Sequence, residues 1–301
     1  MNQSNKLILV GDNPFHGVSH ISRERALQRA SNIGNASFAA ELVMTSIKNG
    51  ATGFTFTVSN TTLAILDQIG SEKIENIGYY PLVPNVAELV RMAGSTGGIP
   101  GLAKEMAKRV ISGMHVRVPL NLVKGIILND PGSLFKSYIT YEYLRLERVM
   151  RKGDGGCLRS ILLHEIVTDM ALALDMEWLF RAHIALMNEL GPKPGFETRN
   201  LPYLVRQFRK WQIDPGGMVI EAPFNAAGFQ MCPSKEDCEK ALEYVQKAEV
   251  IAFSILAAGY LKLPEAFTYV STLKGLSGIA LGVSNEKQAV STFSLATRDF
   301  T

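Results

Sequence analysis

The stretch Gly217-Met218-Val219-Ile220-Glu221-Ala222-Pro223-Phe224-Asn225 reads as a short apolar strand over Gly217–Ala222 that ends in a polar, turn-forming tip. Its apolar residues are consecutive rather than alternate, as a strand covered on both faces requires. Seven more stretches share this form: Lys6–Val10, Gly53–Val58, Ile77–Val83, Ser160–His164, Gly195–Arg199, Val250–Leu256 and Gly278–Val283. Longer helical patterns lie between them, opened by Ser22, Pro84-Asn85, Asn200-Leu201-Pro202 and Pro233-Ser234, residue types that cap a helix N-terminus. Strand and helix in strict alternation predict parallel strands with crossover helices. Eight right-handed units close into a barrel, whereas a doubly wound sheet needs fewer strands and a reversal in their order. The predicted fold is α/β, a (β/α)8 TIM barrel.

The rhythm breaks once. Between the third and fourth strands, residues 84–159 carry several helical stretches, among them Ala103–Val110 and Tyr138–Met150, around the Gly-rich run Ala93–Gly98. This is read as a helical insertion in a single barrel domain over residues 1–301. It serves as extra packing, as a contact in a homo-oligomer, or as a lid over the substrate.

The chain has 301 residues, 47% of them hydrophobic, enough for one large core. Its 31 Lys and Arg face 28 Asp and Glu, a net charge of +3, which argues against a nucleic-acid binder and favours a small-molecule partner. No apolar run approaches the roughly 20 residues that a membrane span needs. The N-terminus lacks the pattern of a secretion signal, and the three cysteines, Cys157, Cys232 and Cys238, form no metal-type pair. A cytoplasmic protein with reduced thiols is expected.

In such a barrel the C-terminal strand tips face the substrate. The first strand ends in Gly11-Asp12-Asn13-Pro14-Phe15-His16, followed within the same loop by His20. Asp12 either caps the turn or joins the site, His16 sits on a glycine-flanked loop, and Asn13 offers orientation. His20, beside a helix start, is read as structural. The second strand presents Thr55 and Thr57, which hydrogen-bond but cannot act as strong bases at neutral pH. The fourth brings His164 to its tip beside Glu165, the two sent to opposite faces if the strand continues. The fifth supplies Glu197 and Arg199, and the sixth supplies Glu221 and Asn225. A carboxylate inside Met218-Val219-Ile220-Glu221 costs free energy unless paired, and desolvation raises its pKa as a general acid or base needs. Glu221 is therefore the leading catalytic candidate, with an ion pair to Arg199 as the structural alternative. After the last two strands, Gly259, Tyr260, Ser284 and Asn285 form a candidate phosphate or cofactor site at a helix start, where Ser284 or Asn285 could equally cap the helix.

From about Leu162 to the C-terminus, the order of features resembles the aldo-keto reductases, NADPH-using (β/α)8 barrels. The resemblance rests on Leu162-Leu163-His164, on Phe196-Glu197-Thr198-Arg199-Asn200-Leu201, on Glu221-Ala222-Pro223-Phe224-Asn225, and on Val250 through Leu261. It implies the barrel and a catalytic role for His164. The family's catalytic Asp falls near Thr55 and its Lys near Pro81, and its Tyr has no counterpart around Ser59-Asn60, so only His164 carries over.

The tips support an enzyme of acid–base chemistry, a lyase or isomerase acting on a small polar metabolite that is open to being phosphorylated. Glu221 and His164 would transfer protons, Asp12 and His16 are further catalytic candidates, and Asn225, Thr57 and Asn13 would orient the substrate. The absence of a lysine on the sixth strand argues against a Schiff-base aldolase. The alternatives are an NADPH-dependent reductase with Tyr260 or His16 as proton donor, a divalent-metal enzyme using Asp12, His16, His164 and Glu221, and a binding barrel without catalysis.

Overall fold

The computed structural model describes residues 6–16, 34–71, 76–98, 130–150 and 156–300, with Gly101, Lys104, Glu105 and Lys108 besides. Its strands are β1 Leu7–Gly11, β2 Gly53–Thr57, β3 Ile77–Val83, β4 Gly156–Leu158, β5 Ser160–Leu163, β6 Lys193–Glu197, β7 Val219–Pro223, β8 Glu249–Phe253 and β9 Leu276–Gly282. Every pairing is parallel, and β4 and β5 both pair with β3 as two halves of one stave broken at Arg159. With β1 bonded to both β2 and β9, the sheet closes into an eight-staved barrel. Among the described residues ten α-helices surround it: α1 Ala36–Lys48, α2 Asn60–Ser71, α3 Val86–Thr96, α4 Pro131–Met150, α5 Glu165–Ala173, α6 Glu177–Leu190, α7 Leu201–Lys210, α8 Lys235–Leu242, α9 Leu263–Thr272 and α10 Glu286–Phe300.

All eight predicted strands are present, with ends that shift. β6 begins at Lys193 because Pro194, a residue that reads as a strand breaker, sits in register opposite Ile161. β8 stops at Phe253 because Ser254 turns into the left-handed region at φ 53°. The predicted insertion also ends early, since β4 already pairs with the lower half of β3. Within it stand α3 and α4, the second covering the expected Tyr138–Met150 helix, while most of the expected Ala103–Val110 helix lies outside the described residues. Asn85, Asn200 and Ser234 cap α3, α7 and α8 as predicted, each side chain accepting a backbone N–H three residues on. The Ser22 helix start and His20 fall outside the described residues.

Alternation along each strand divides the apolar runs between two cores. Leu9, Tyr80, Leu82, Leu162, Val219 and Ile251 fill the barrel, while Ile8, Phe54, Ile161, Phe196 and Ile220 face the helices. Gly195 keeps room inside for Leu162, whose Cγ would lie 2.6 Å from an added Cβ. The next inward position above Val219 on β7 is Glu221. The same alternation that buries the run thus places one carboxyl inside the barrel's upper mouth. Among the described residues no helix is long and apolar enough to cross a membrane, and all three cysteines are free thiols.

Candidate active site

A cavity of about 580 Å³ opens at the C-terminal ends of the strands. Asp12 and Asn13 reach it from β1, Thr55 and Thr57 from β2, and His164 and Glu165 from the end of β5. Glu197 and Arg199 line it from the end of β6 and Glu221 from β7, so Asp12, His164 and Glu221 all line one cavity.

Glu221 is 2% exposed, and its Oε1 accepts no hydrogen bond. Burial raises its carboxyl from the ordinary value to about 8; the Thr55 hydroxyl opposes that rise and the negative Asp12 adds to it. At neutral pH the group holds its proton. Glu197 is its direct partner in the β6–β7 register, and Glu197 Oε2 accepts from the Glu165 N–H at 3.0 Å. Burial first, then the charges of Glu165 and Glu221, push the Glu197 carboxyl well above the usual range. Both carboxyls are therefore shifted toward their protonated forms relative to solvent-exposed ones.

Asp12 accepts from the Thr57 backbone N–H at 2.7 Å, which fixes the start of the Asn13–His16 turn. Thr55 donates to the Tyr80 carbonyl at 3.1 Å. His164 performs two tasks. Its Nδ1 accepts from the Ile166 N–H at 3.2 Å and caps α5, which leaves the ring proton on Nε2. Burial lowers its pKa, with Glu165 pulling the other way, so the imidazole is neutral at neutral pH.

Arg199 does not pair with Glu221, as the structural alternative had it. Its guanidinium holds Glu165 in a two-pronged contact, Nε to Oε2 at 2.6 Å and Nη2 to Oε1. Sequence reasoning passed over Glu165 because strand alternation would send it away from His164. The strand ends at Leu163, so alternation stops and both residues reach the rim. Gln230 and Gln288, which also line the cavity, left no signal in the sequence.

Other expected residues stand elsewhere. Asn225 is fully buried and bonds the backbone of Phe229 through both Oδ1 and Nδ2, tying its own loop outside the cavity lining. Tyr260 is 83% exposed and also outside the lining, while Gly259 is within it. Asn285 caps α10 by accepting from the Gln288 N–H at 2.9 Å, and Ser284 donates to Gln288 Oε1 through both its N–H and its hydroxyl. The groups expected to hold an anion are thus engaged by their own helix. The backbone of His16 closes the turn after Asp12, but its side chain lies outside the described residues. Among the described residues, no three His, Cys, Asp or Glu side chains are grouped to hold a metal ion.

No protein-family model matches the chain, and no curated protein matches it in sequence. The barrel is similar to solved structures. A protein of Pseudomonas aeruginosa named as an aldo-keto reductase is 13% identical with a TM-score of 0.61, covering 98% of this chain and 90% of that one. A glycerol dehydrogenase from Gluconobacter oxydans is 11% identical with a TM-score of 0.52, covering 99% and 91%. The fold is an aldo-keto reductase-like (β/α)8 barrel; at this identity the likeness is one of fold.

Proposed function

We propose that this protein is an enzyme of acid–base chemistry, a lyase or isomerase, in which Glu221 exchanges a proton with a small polar metabolite at the strand tips. The observation that carries the reading is the Glu221 carboxyl itself, buried in the cavity wall with Oε1 unpartnered. A group that holds its proton near neutrality and has an acceptor atom to spare suits proton transfer. His164, neutral with its proton on Nε2, is the second proton-handling group, and Asp12, Thr55 and Arg199 orient the substrate.

The fold likeness raises NADPH as a cofactor, but the described lining does not suit a dinucleotide phosphate. Its one guanidinium, Arg199, is bound to Glu165, the start of α10 is capped by its own side chains, and Tyr260 lies outside the cavity. The test is a metabolite screen in D2O followed by NMR. A substrate of this enzyme gains solvent deuterium at carbon during turnover, and Glu221→Gln lowers that rate by about 100-fold or more. Hydride transfer from NADPH without deuterium incorporation, or turnover unchanged in Glu221→Gln, overturns the reading. Ligand binding with no turnover would make the barrel a binding protein.

A further inference from the structure

We propose, resting on the acid–base reading of the same site, that the cavity takes a substrate bearing a protonated amine, held between the side chains of Glu197 and Glu221. Among the described residues, four carboxyl side chains line the cavity, those of Asp12, Glu165, Glu197 and Glu221, against the single guanidinium of Arg199. That guanidinium is already held by Glu165. An incoming anion would find that guanidinium taken by Glu165 and the α10 N-terminus occupied by Gln288 and Asn285.

A cation meets the opposite situation. Glu221 lines the cavity, and its buried Oε1 lacks a donor. An ammonium brings three N–H donors and a positive charge to that atom. Glu197 stands directly across the β6–β7 register and supplies a second oxygen-bearing group at the same height in the barrel. The grouping does not suit a metal ion, which needs several ligands converged on one point, whereas an ammonium tolerates contacts spread over its three protons. A cavity of about 580 Å³ accommodates a metabolite the size of a sugar or small amino compound.

The site avoids stacking charge by favouring the protonated forms of its glutamates. Facing Glu221 are Asp12 from the β1 tip, Thr55 from β2 and Glu197 from β6, while Glu165 and Arg199 face Glu197. His164 is at the rim. An arriving ammonium takes the place of a proton: the amine nitrogen stays protonated, a glutamate releases its proton to solvent, and the net charge of the pocket rises by nothing. Binding is therefore linked to proton release near neutral pH, which neither a neutral nor a phosphorylated ligand would produce.

The experiment titrates the purified full-length chain calorimetrically with glucosamine, ethanolamine and agmatine, beside the hydroxyl and phosphate counterparts of the first two. Buffers of different ionisation enthalpy give the proton count. At least one amine should bind about 10-fold or more tighter than its hydroxyl counterpart, with close to one proton released at about pH 7, and its affinity should rise by at most about tenfold per pH unit toward pH 8. Glu221→Gln should abolish the proton release and weaken the amine by about 10-fold. If that variant does not fold, the wild-type proton count decides. The proposal is overturned if no amine exceeds its counterpart, if a phosphate form binds tighter, or if amine binding releases no proton. Deuterium incorporation from D2O is read separately, so failed amine binding with retained Glu221-dependent turnover sinks this proposal alone, and amine binding with proton release but no turnover sinks only the acid–base reading.

Discussion

Glu197 and Glu221 face each other as direct partners on adjacent parallel strands, and both carboxyls line one cavity. Parallel register holds neighbouring inward side chains at nearly the same height, so two like groups there cannot both carry charge without cost. Their proton affinity follows from that placement and from the apolar layer of Leu162, Val219 and Ile251 beneath them.

Stability should fall as pH rises across the window set by Glu221. Its folded-state pKa is raised from 4.5 to about 8, so the folded protein binds the proton more tightly than the unfolded chain. The associated stabilisation is full below about pH 4.5 and is lost as pH rises to about 8, at up to ~1.4 kcal/mol per pH unit. Glu221→Gln removes this dependence. Denaturant unfolding should show the variant gaining on wild type by the order of a few kcal/mol between about pH 5 and about pH 8; parallel curves would show that Glu221 does not titrate there.

The Arg199–Glu165 contact predicts a stability loss on breaking it. Arg199→Met leaves Glu165, whose side chain is 11% exposed, without its cation. Because the Arg199 side chain is itself 38% exposed, the cost should be about 1–3 kcal/mol rather than the larger figure for a fully buried pair. Arg199 also holds the Glu197 pKa down, so in the variant the loss of stability with rising pH should extend to higher pH. Thermal unfolding across pH measures both effects.

His164 can be divided into a cap and a proton carrier. His164→Ala loses the acceptor for the Ile166 N–H and should cost about 1 kcal/mol, whereas His164→Asn offers a capping oxygen and should retain most of that stability. Both should lose activity alike if the imidazole handles protons. Activity that tracks stability across the two variants would reduce His164 to a cap.

Gly282, at the end of β9, touches the turn that carries Asp12. A Cβ there would lie 2.9 Å from Pro14 Cγ and 3.0 Å from its Cδ, so the proline ring must move. Gly282→Ala should lower activity about 10-fold by displacing the Asp12 turn while costing only about 1 kcal/mol of stability. Unchanged kinetics would mean that the turn absorbs the methyl without moving Asp12.

The sequence by itself determined the barrel, because its signals are local. Apolar runs such as Val219-Ile220 need cover on both faces, and Asn85, Asn200 and Ser234 cap the helices that follow within their own few residues. It also marked Glu221, because a carboxylate inside an apolar run is conspicuous wherever the run folds. Only the tertiary structure decided the partners. The sequence offered Glu221 as the ion-pair partner of Arg199, but the end of β5 at Leu163 brought it Glu165, 34 residues away. Asn225 sits three positions beyond the end of the expected sixth strand, yet it turned back onto Phe229. Which inward residue of one strand stands opposite which residue of the next depends on register around a closed barrel, and no local pattern encodes that; the pairing of Glu197 with Glu221 existed only once the ring had closed.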